Sequence, residues 1–156
     1  MTIKWVSNMS IFDHLSNVAL VNPVNCKGVM GKGLAKEFKQ RWPSMFKDYL
    51  DVCELGLSPG EFVVHYPSHN APDPTIICFP TKIHWRDKSQ YVYIHAGLDA
   101  LSNYLAKSAD INKVAFPKLG CGLGGLAWPE VRTLMVEHLG PLDVTCYIHG
   151  SETGDQ

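Results

Sequence analysis

The chain has 156 residues, of which 46% are hydrophobic and 19% are charged, and its formal net charge at pH 7 is −1. This composition predicts a single folded domain over residues 1–156 and excludes a disordered chain. The near-zero charge gives no overall attraction for nucleic acid, so any such contact needs a local basic patch. The five cysteines are widely spaced without a CxxC pair, which favours reduced thiols over a disulfide framework or a zinc knuckle. With no apolar leader and no run long enough to cross a bilayer, we expect a cytoplasmic protein without membrane contact.

Short apolar runs alternate with helical patterns along the chain. An edge strand is expected within residues 1–7, and five further runs predict strands that begin at Val18, Glu61, Thr75, Lys113 and Val144. Three stripes of apolar residues at helical spacing predict helices over residues 46–53, 91–105 and 131–139. Most of the strand runs are continuously apolar, which indicates a sheet covered on both faces. The alternation therefore predicts an α/β fold with a largely parallel sheet.

Two glycine-rich segments lie where a predicted strand gives way to a helix. The opening loop, "NCKGVMGKG", spans residues 25–33, and the second glycine loop, "LGCGLGG", spans residues 119–125. Strand ends followed by helices bind anions, and glycine lets several N–H groups turn toward one phosphate. One such loop could be a simple turn, but two in equivalent places favour a diphosphate. Because Gly33 follows Lys32 and the spacing is G-x-x-G-x-G, neither a Walker A motif nor a dinucleotide fingerprint is present.

Three segments in order, "ALVNPVNCKGVMGKGLAKEFKQRWP", "FPTKIHWR" and "PKLGCGLGGLAWPEV", resemble the motifs of a macrodomain. They are most similar to the DNA ADP-ribosyl glycohydrolase macrodomain of the DarG antitoxins, and more distantly to the human terminal ADP-ribose glycohydrolase. The resemblance implies a three-layer α/β/α macrodomain with a mixed, mostly parallel central sheet. It also implies ADP-ribose as ligand or product, with no metal and no other cofactor.

The resemblance implies an ADP-ribose site built from both loops. Asn22 and Asn25 match asparagines that line the distal ribose, although from the residues alone the Asn25 side chain could equally form an Asx turn. The turn beneath that ribose is formed by Gly31, Lys32 and Gly33. The backbone that wraps the diphosphate is formed by Leu119, Gly120, Cys121, Gly122, Leu123 and Gly124.

Two positions depart from the family pattern. Ser10 stands where relatives usually carry an acidic or amide residue that reads adenine, so adenine recognition is expected to use backbone groups around Ile11. Gly124 stands where the terminal glycohydrolase has a catalytic aspartate, which puts a mechanism assisted by that carboxylate in doubt. His65 and His69 have a spacing found in some metal sites, but the intervening Pro67 argues against a helix and against zinc.

Lys82 matches the lysine that both glycohydrolases need for catalysis. Cleavage at the ribose C1″ needs a nucleophile or a base, and a lysine serves once burial or nearby cations lower its pKa. The amine could attack the opened sugar or act as a general base. Without the resemblance, a solvated surface lysine would be the simpler interpretation.

The segment "TKIHWRDK" alternates cations around an indole. If extended, it would present His84, Arg86 and Lys88 on one side with Trp85 nearby, an arrangement suited to phosphate contacts and base stacking on DNA. The alternative is a set of solvated charges beside a core tryptophan.

These observations predict a hydrolase that removes ADP-ribose from a modified macromolecule, with thymidine in DNA preferred and ADP-ribosylated protein as the second acceptor. The resemblance implies that Lys82 is the catalytic residue and that the biological role is antitoxin-like. Two other functions remain open on the same scaffold: a phosphatase acting on ADP-ribose 1″-phosphate, and a reader that binds ADP-ribose without catalysis.

Overall fold

The computed structural model describes residues 2–69 and 71–153, and within them the chain forms a six-stranded sheet. The strands are β1 (Ile3–Trp5), β2 (Ala19–Val24), β3 (Val63–His65), β4 (Ile76–Pro80), β5 (Lys113–Phe116) and β6 (Thr145–Ile148). Their order across the sheet is β1-β6-β5-β2-β4-β3. Neighbouring strands are parallel, apart from the antiparallel pair β3 and β4. The predicted strands, including the edge strand near the N-terminus, are confirmed.

The described residues also form four α-helices and a short 3-10 helix at Ile11–Asp13. The α-helices are α1 (Gly33–Arg41), α2 (Pro43–Leu55), α3 (Tyr91–Lys107) and α4 (Trp128–Leu139). Apolar residues of α3 and α4 pack on one face of the sheet, and those of α1 and α2 pack on the other. The sheet is thus buried on both sides, and the predicted three-layer α/β/α architecture with a mixed, mostly parallel sheet is confirmed.

The sheet order explains where a site can form. β2 lies between β4 and β5, and all three run in the same direction. Their carboxyl ends therefore meet at one edge of the sheet, where unpaired backbone groups and helix N-termini favour ligand binding. The opening loop follows β2, Lys82 follows β4, and the second glycine loop follows β5.

Helix α3 approaches β4 closely because Gly97 has no side chain. A Cβ atom built on Gly97 would overlap the ring of Phe79, which is fully buried. We expect Gly97→Ala to lower the free energy of unfolding by about 1–3 kcal/mol, since overpacking outweighs the better helix propensity of alanine. Urea denaturation measures the change, with Asp99→Ala on the exposed face of α3 as the control. An unchanged midpoint for Gly97→Ala would mean that Phe79 moves aside without cost.

Candidate active site

The three segments at the sheet edge enclose a cleft of about 730 Å³. Both predicted loops and Lys82 contribute to its lining. The predicted residues that line it are Asn25, Gly31, Lys32, Gly33, Lys82, Trp85, Arg86, Lys88, Gly120, Gly122, Leu123 and Gly124. The volume falls within the range of roughly 300–1,000 Å³ found for small-molecule sites.

Asn25 organises the opening loop. Its Oδ1 accepts a hydrogen bond from the backbone N–H of Lys27 at 2.9 Å, and its Nδ2 donates to the Val29 carbonyl at 2.6 Å. The first of these bonds is an Asx turn. The buried hydroxyl of Tyr49 donates to Asn25 and accepts from Gly28 N–H at 3.2 Å. The Asn25 amide therefore holds the loop in shape, and the residue also lines the cleft.

The Tyr49 hydroxyl is the loop's anchor to α2, and burial raises its pKa, so the phenol keeps its proton. We expect Tyr49→Phe to lower the free energy of unfolding by about 1–3 kcal/mol, because buried groups of the loop lose their partner. Affinity for ADP-ribose should fall with it. Denaturation and calorimetry measure the two effects, and Tyr104→Phe, whose hydroxyl bonds that of exposed Tyr66, is the matched control. Equal effects of the two substitutions would contradict the anchoring role.

Asn22 is not among the residues that line the cleft, and its contact with the distal ribose stays a prediction. Asn22 is fully buried. Its Nδ2 lies 3.7–3.9 Å from the sulfur atoms of Met30, Met45 and Cys78, and its Oδ1 has no hydrogen-bond partner in the described part of the chain. Because successive side chains of a strand point to opposite faces, Asn22 projects into the core beneath the opening loop.

Ser10 and Ile11 are also not among the residues that line the cleft. The Ser10 Oγ accepts from Phe12 N–H at 3.1 Å, while the Asp13 carboxylate accepts from Ser10 N–H at 3.1 Å. These reciprocal bonds form a capping box for the short 3-10 helix, so the Ser10 hydroxyl has a local partner. Ile11 is buried. Recognition of adenine by backbone groups around Ile11 stays a prediction.

The second glycine loop is a tight turn fixed by its own backbone. Gly120 and Gly125 adopt left-handed φ values of 74° and 80°. The Gly120 carbonyl accepts from Leu126 N–H at 2.9 Å, which closes the loop. Leu119 is fully buried below it, and burial raises the pKa of the Cys121 thiol to about 11. Neither Leu119 nor Cys121 is among the residues lining the cleft, so their predicted role is confined to the backbone.

Gly122 and Gly124 differ in what surrounds them. A Cβ atom on Gly122 would meet nothing within 4 Å, whereas one on Gly124 would overlap the Ser89 Oγ and lie 2.5 Å from the Gly120 carbonyl oxygen. Gly122 thus borders open space in the cleft, and Gly124 is required by packing. An aspartate at position 124 would displace Ser89, which explains why this loop carries no carboxylate there.

Lys82 is half-buried at the carboxyl end of β4 and lines the cleft. The opening loop fixes its backbone, because the Cys26 N–H donates to the Ile83 carbonyl at 2.9 Å. Burial lowers the pKa of Lys82 and Lys88 lowers it further, whereas Asp87 opposes them. The prediction that burial and a neighbouring cation lower the pKa of Lys82 is confirmed, and the cation is Lys88. A fully solvated lysine is excluded.

Residues 84–87 form a turn, so the segment does not have the extended form considered for it. Asp87 N–H donates to the His84 carbonyl at 3.0 Å, which closes the turn. Trp85 is 45% exposed, so it is not a core tryptophan. Trp85, Arg86 and Lys88 line the cleft, while His84 does not. An indole and two cations therefore line the cleft, and they do so from a turn and not from an extended segment.

The other predicted or excluded sites lie elsewhere. His65 is a buried residue of β3 whose Nδ1 pairs with the carboxylate of Asp48, so it is engaged within the fold. Over residues 2–69 and 71–153, no three His, Cys, Asp or Glu side chains gather as metal ligands. Within the same residues, none of the helices has the length and apolarity to cross a membrane.

Tyr49, Thr81 and Asp87 are among the residues at the site that sequence reasoning missed. Tyr49 lies 24 positions from Asn25, and nothing local in the sequence joins them. Thr81 lines the cleft beside Lys82, and its position directly before the matched lysine was the available signal. Asp87 could have been found by asking which charge opposes the cations around it, since it lies between Arg86 and Lys88.

A mixed α/β/α fold with paired glycine loops over one cleft defines a macrodomain. The Macro domain family model matches residues 21–135, and the chain belongs to this family. A DNA ADP-ribosyl glycohydrolase from Mycobacterium tuberculosis is 44% identical over 141 residues, which cover 88% of this chain and 40% of that protein. The chain therefore spans less than half the length of this relative.

Solved structures agree with the assignment. The macrodomain of Mycobacterium tuberculosis DarG superposes with a TM-score of 0.86 at 39% identity, covering 96% of this chain and 98% of that one. Thermosipho africanus DarTG, solved in complex with ADP-ribose, superposes with a TM-score of 0.84 at 30% identity, covering 97% of this chain and 42% of that one.

Proposed function

We propose that this protein is an ADP-ribosyl glycohydrolase that removes ADP-ribose from DNA, with thymidine as the modified base. The observation that carries the proposal is Lys82, a half-buried amine with a lowered pKa that lines the same cleft as the two glycine loops. The 44% identical relative is named a DNA ADP-ribosyl glycohydrolase, which supports the same activity here. An antitoxin-like role follows from the likeness to DarG.

ADP-ribose would lie across both loops. The opening loop, shaped by the Asn25 hydrogen bonds, would hold the distal ribose, and the second glycine loop would hold the diphosphate. Open space at Gly122 lets phosphate oxygens approach the backbone. Such a site needs donors and shape rather than a metal ion, so we propose that binding persists in the presence of a chelator.

Lys82 would act at C1″ of the distal ribose. As a general base, its neutral amine takes a proton from water, the water oxygen bonds to C1″, and the electron pair of the glycosidic bond leaves with the nucleobase. As a nucleophile, the amine bonds to C1″ once the C1″–O4″ bond has opened, and the nucleobase then leaves with the electron pair of the glycosidic bond and takes up a proton. Water hydrolyses the resulting imine, which releases ADP-ribose and restores the amine. Both roles need a neutral amine, which the lowered pKa favours.

The cleft mouth suits a polyanionic acceptor. Lys32, Arg86 and Lys88 line the cleft around Lys82, on a chain whose net charge is only −1. Cations gathered at one opening attract DNA phosphates locally, and their contribution weakens as salt rises. This concentration of charge favours DNA over protein as the preferred acceptor.

Parallel incubation with three substrates tests the proposal. These are ADP-ribosylated DNA, ADP-ribosylated protein and ADP-ribose 1″-phosphate, with free ADP-ribose and phosphate as the measured products. We expect ADP-ribose from the DNA at the highest rate. Phosphate release alone would establish the phosphatase, and calorimetric binding of ADP-ribose without any product would establish a reader.

A further inference from the structure

An exposed indole lies at the mouth of the cleft. Trp85 is 45% exposed, whereas Trp128 is fully buried and Trp5 and Trp42 are half-buried. It follows Lys82 by three positions and lines the same cleft. The fold therefore leaves this large aromatic side chain partly exposed in the cleft that Lys82 also lines.

Two neighbouring side chains hold this indole in place. The Arg86 guanidinium lies 4.6 Å from the indole centroid, and the His84 ring centroid lies 5.1 Å from it with an angle of 32° between the planes. His84 is itself oriented, because its Nδ1 accepts from Arg86 N–H at 3.1 Å. We call His84, Trp85 and Arg86 the stacking platform. Its ordering before any ligand arrives reduces the entropy lost on binding.

We propose that the stacking platform binds the nucleobase that carries the ADP-ribose, and so selects base-linked over side-chain-linked substrates. The inference rests on the proposed function, since it takes ADP-ribose to occupy the cleft. The acceptor is attached at C1″, the atom on which Lys82 acts, so it projects from the cleft where Trp85 lies. A base offers an aromatic face to the indole and to the guanidinium, whereas a carboxylate side chain has no aromatic ring to stack.

Binding to inactive variants tests the platform separately from catalysis. Lys82→Ala, Lys82→Ala/Trp85→Ala and Lys82→Ala/Trp85→Phe are titrated with ADP-ribose and with an oligonucleotide carrying one ADP-ribosylated thymidine. In Lys82→Ala we expect the oligonucleotide to bind more tightly than ADP-ribose. Trp85→Ala should reduce that advantage about 10- to 100-fold, and Trp85→Phe should retain most of it. Leu55→Ala in the same background is the control, because Leu55 is an exposed apolar residue at the end of α2.

Salt separates stacking from charge. The difference in oligonucleotide affinity between Lys82→Ala and Lys82→Ala/Trp85→Ala should be the same at high salt as at low salt. A contribution from phosphate contacts should instead become smaller as salt rises. An equal loss of affinity for ADP-ribose and for the oligonucleotide would overturn the platform, because Trp85 would then act through the cleft shape. No loss for either ligand would overturn it as well. Failure of the proposed function is distinguishable from failure of the stacking platform, because the unsubstituted protein would then release no ADP-ribose from the same oligonucleotide.

Discussion

Replacing Lys82 with alanine should slow the release of ADP-ribose from ADP-ribosylated DNA by about 10²–10⁴-fold, the contribution typical of a positioned acid or base. Affinity for free ADP-ribose should change little, because the amine is assigned to the transition state rather than to ground-state binding. Single-turnover rates and calorimetry on the same preparation measure the two quantities. Full activity in Lys82→Ala would contradict the glycohydrolase assignment.

Lys82→Arg separates chemistry from simple charge. A guanidinium stays protonated and serves neither as base nor as nucleophile, so we expect a loss nearly as large as that in Lys82→Ala. If Lys82 only attracted DNA, arginine would restore most of the rate at low salt. That rescue would remove the amine from the mechanism while leaving the binding site intact.

The pH profile identifies the group that titrates. Because the neutral amine is the active form, kcat/KM should rise with pH through the lowered pKa of Lys82 and then level off. Lys88→Ala removes a cation that lowers this pKa, so the rise should move to higher pH. Asp87→Asn removes an anion that raises it, so the rise should move to lower pH. Shifts in the reverse directions would assign the profile to another group.

The sequence was sufficient for the layers and for the loops. Continuous apolar runs predicted the buried strands β2 and β4, and helical stripes predicted α2, α3 and α4, since both patterns follow from burial alone. Glycines at two strand ends marked the cleft, because parallel neighbours bring such ends to one edge. These features depend on short-range pattern, and sequence carries short-range pattern directly.

The direction in which each side chain points could not be predicted from the sequence pattern. Asn22 and Asn25 both stand near the end of β2, yet Asn22 enters a sulfur-lined core and Asn25 lines the cleft. The sulfur atoms come from other segments of the chain, so no local pattern shows which asparagine is buried. The turn at Trp85 has a local origin, because backbone and imidazole hydrogen bonds of His84 override an alternation that resembled a strand. The periodic pattern of the sequence therefore could not predict the direction of the Asn22 side chain or the turn at Trp85, because long-range packing determines the first and local hydrogen bonds determine the second.

Gly122→Val should abolish ADP-ribose binding while leaving the fold intact. The residue lies outside the left-handed region, and a Cβ atom there meets nothing within 4 Å, so valine fits the folded chain. We expect a change in the free energy of unfolding within about 0.5 kcal/mol. The branched side chain would instead occupy space that the diphosphate needs. At a ligand concentration 100 times the wild-type Kd, stabilisation by ADP-ribose is about 2.7 kcal/mol, and the variant should lose it.

Gly124→Ala is the counterpart that the same loop offers. Its methyl group would overlap Ser89 and approach the Gly120 carbonyl, so we expect a loss of about 1–3 kcal/mol in unfolding free energy even without ligand. Thermal melts with and without ADP-ribose distinguish the two variants, because one loses the ligand-induced shift and the other loses stability. If Gly122→Val melted far below the wild type yet kept the full ligand-induced shift, the loop would be only a turn, and the diphosphate would have to bind elsewhere in the cleft.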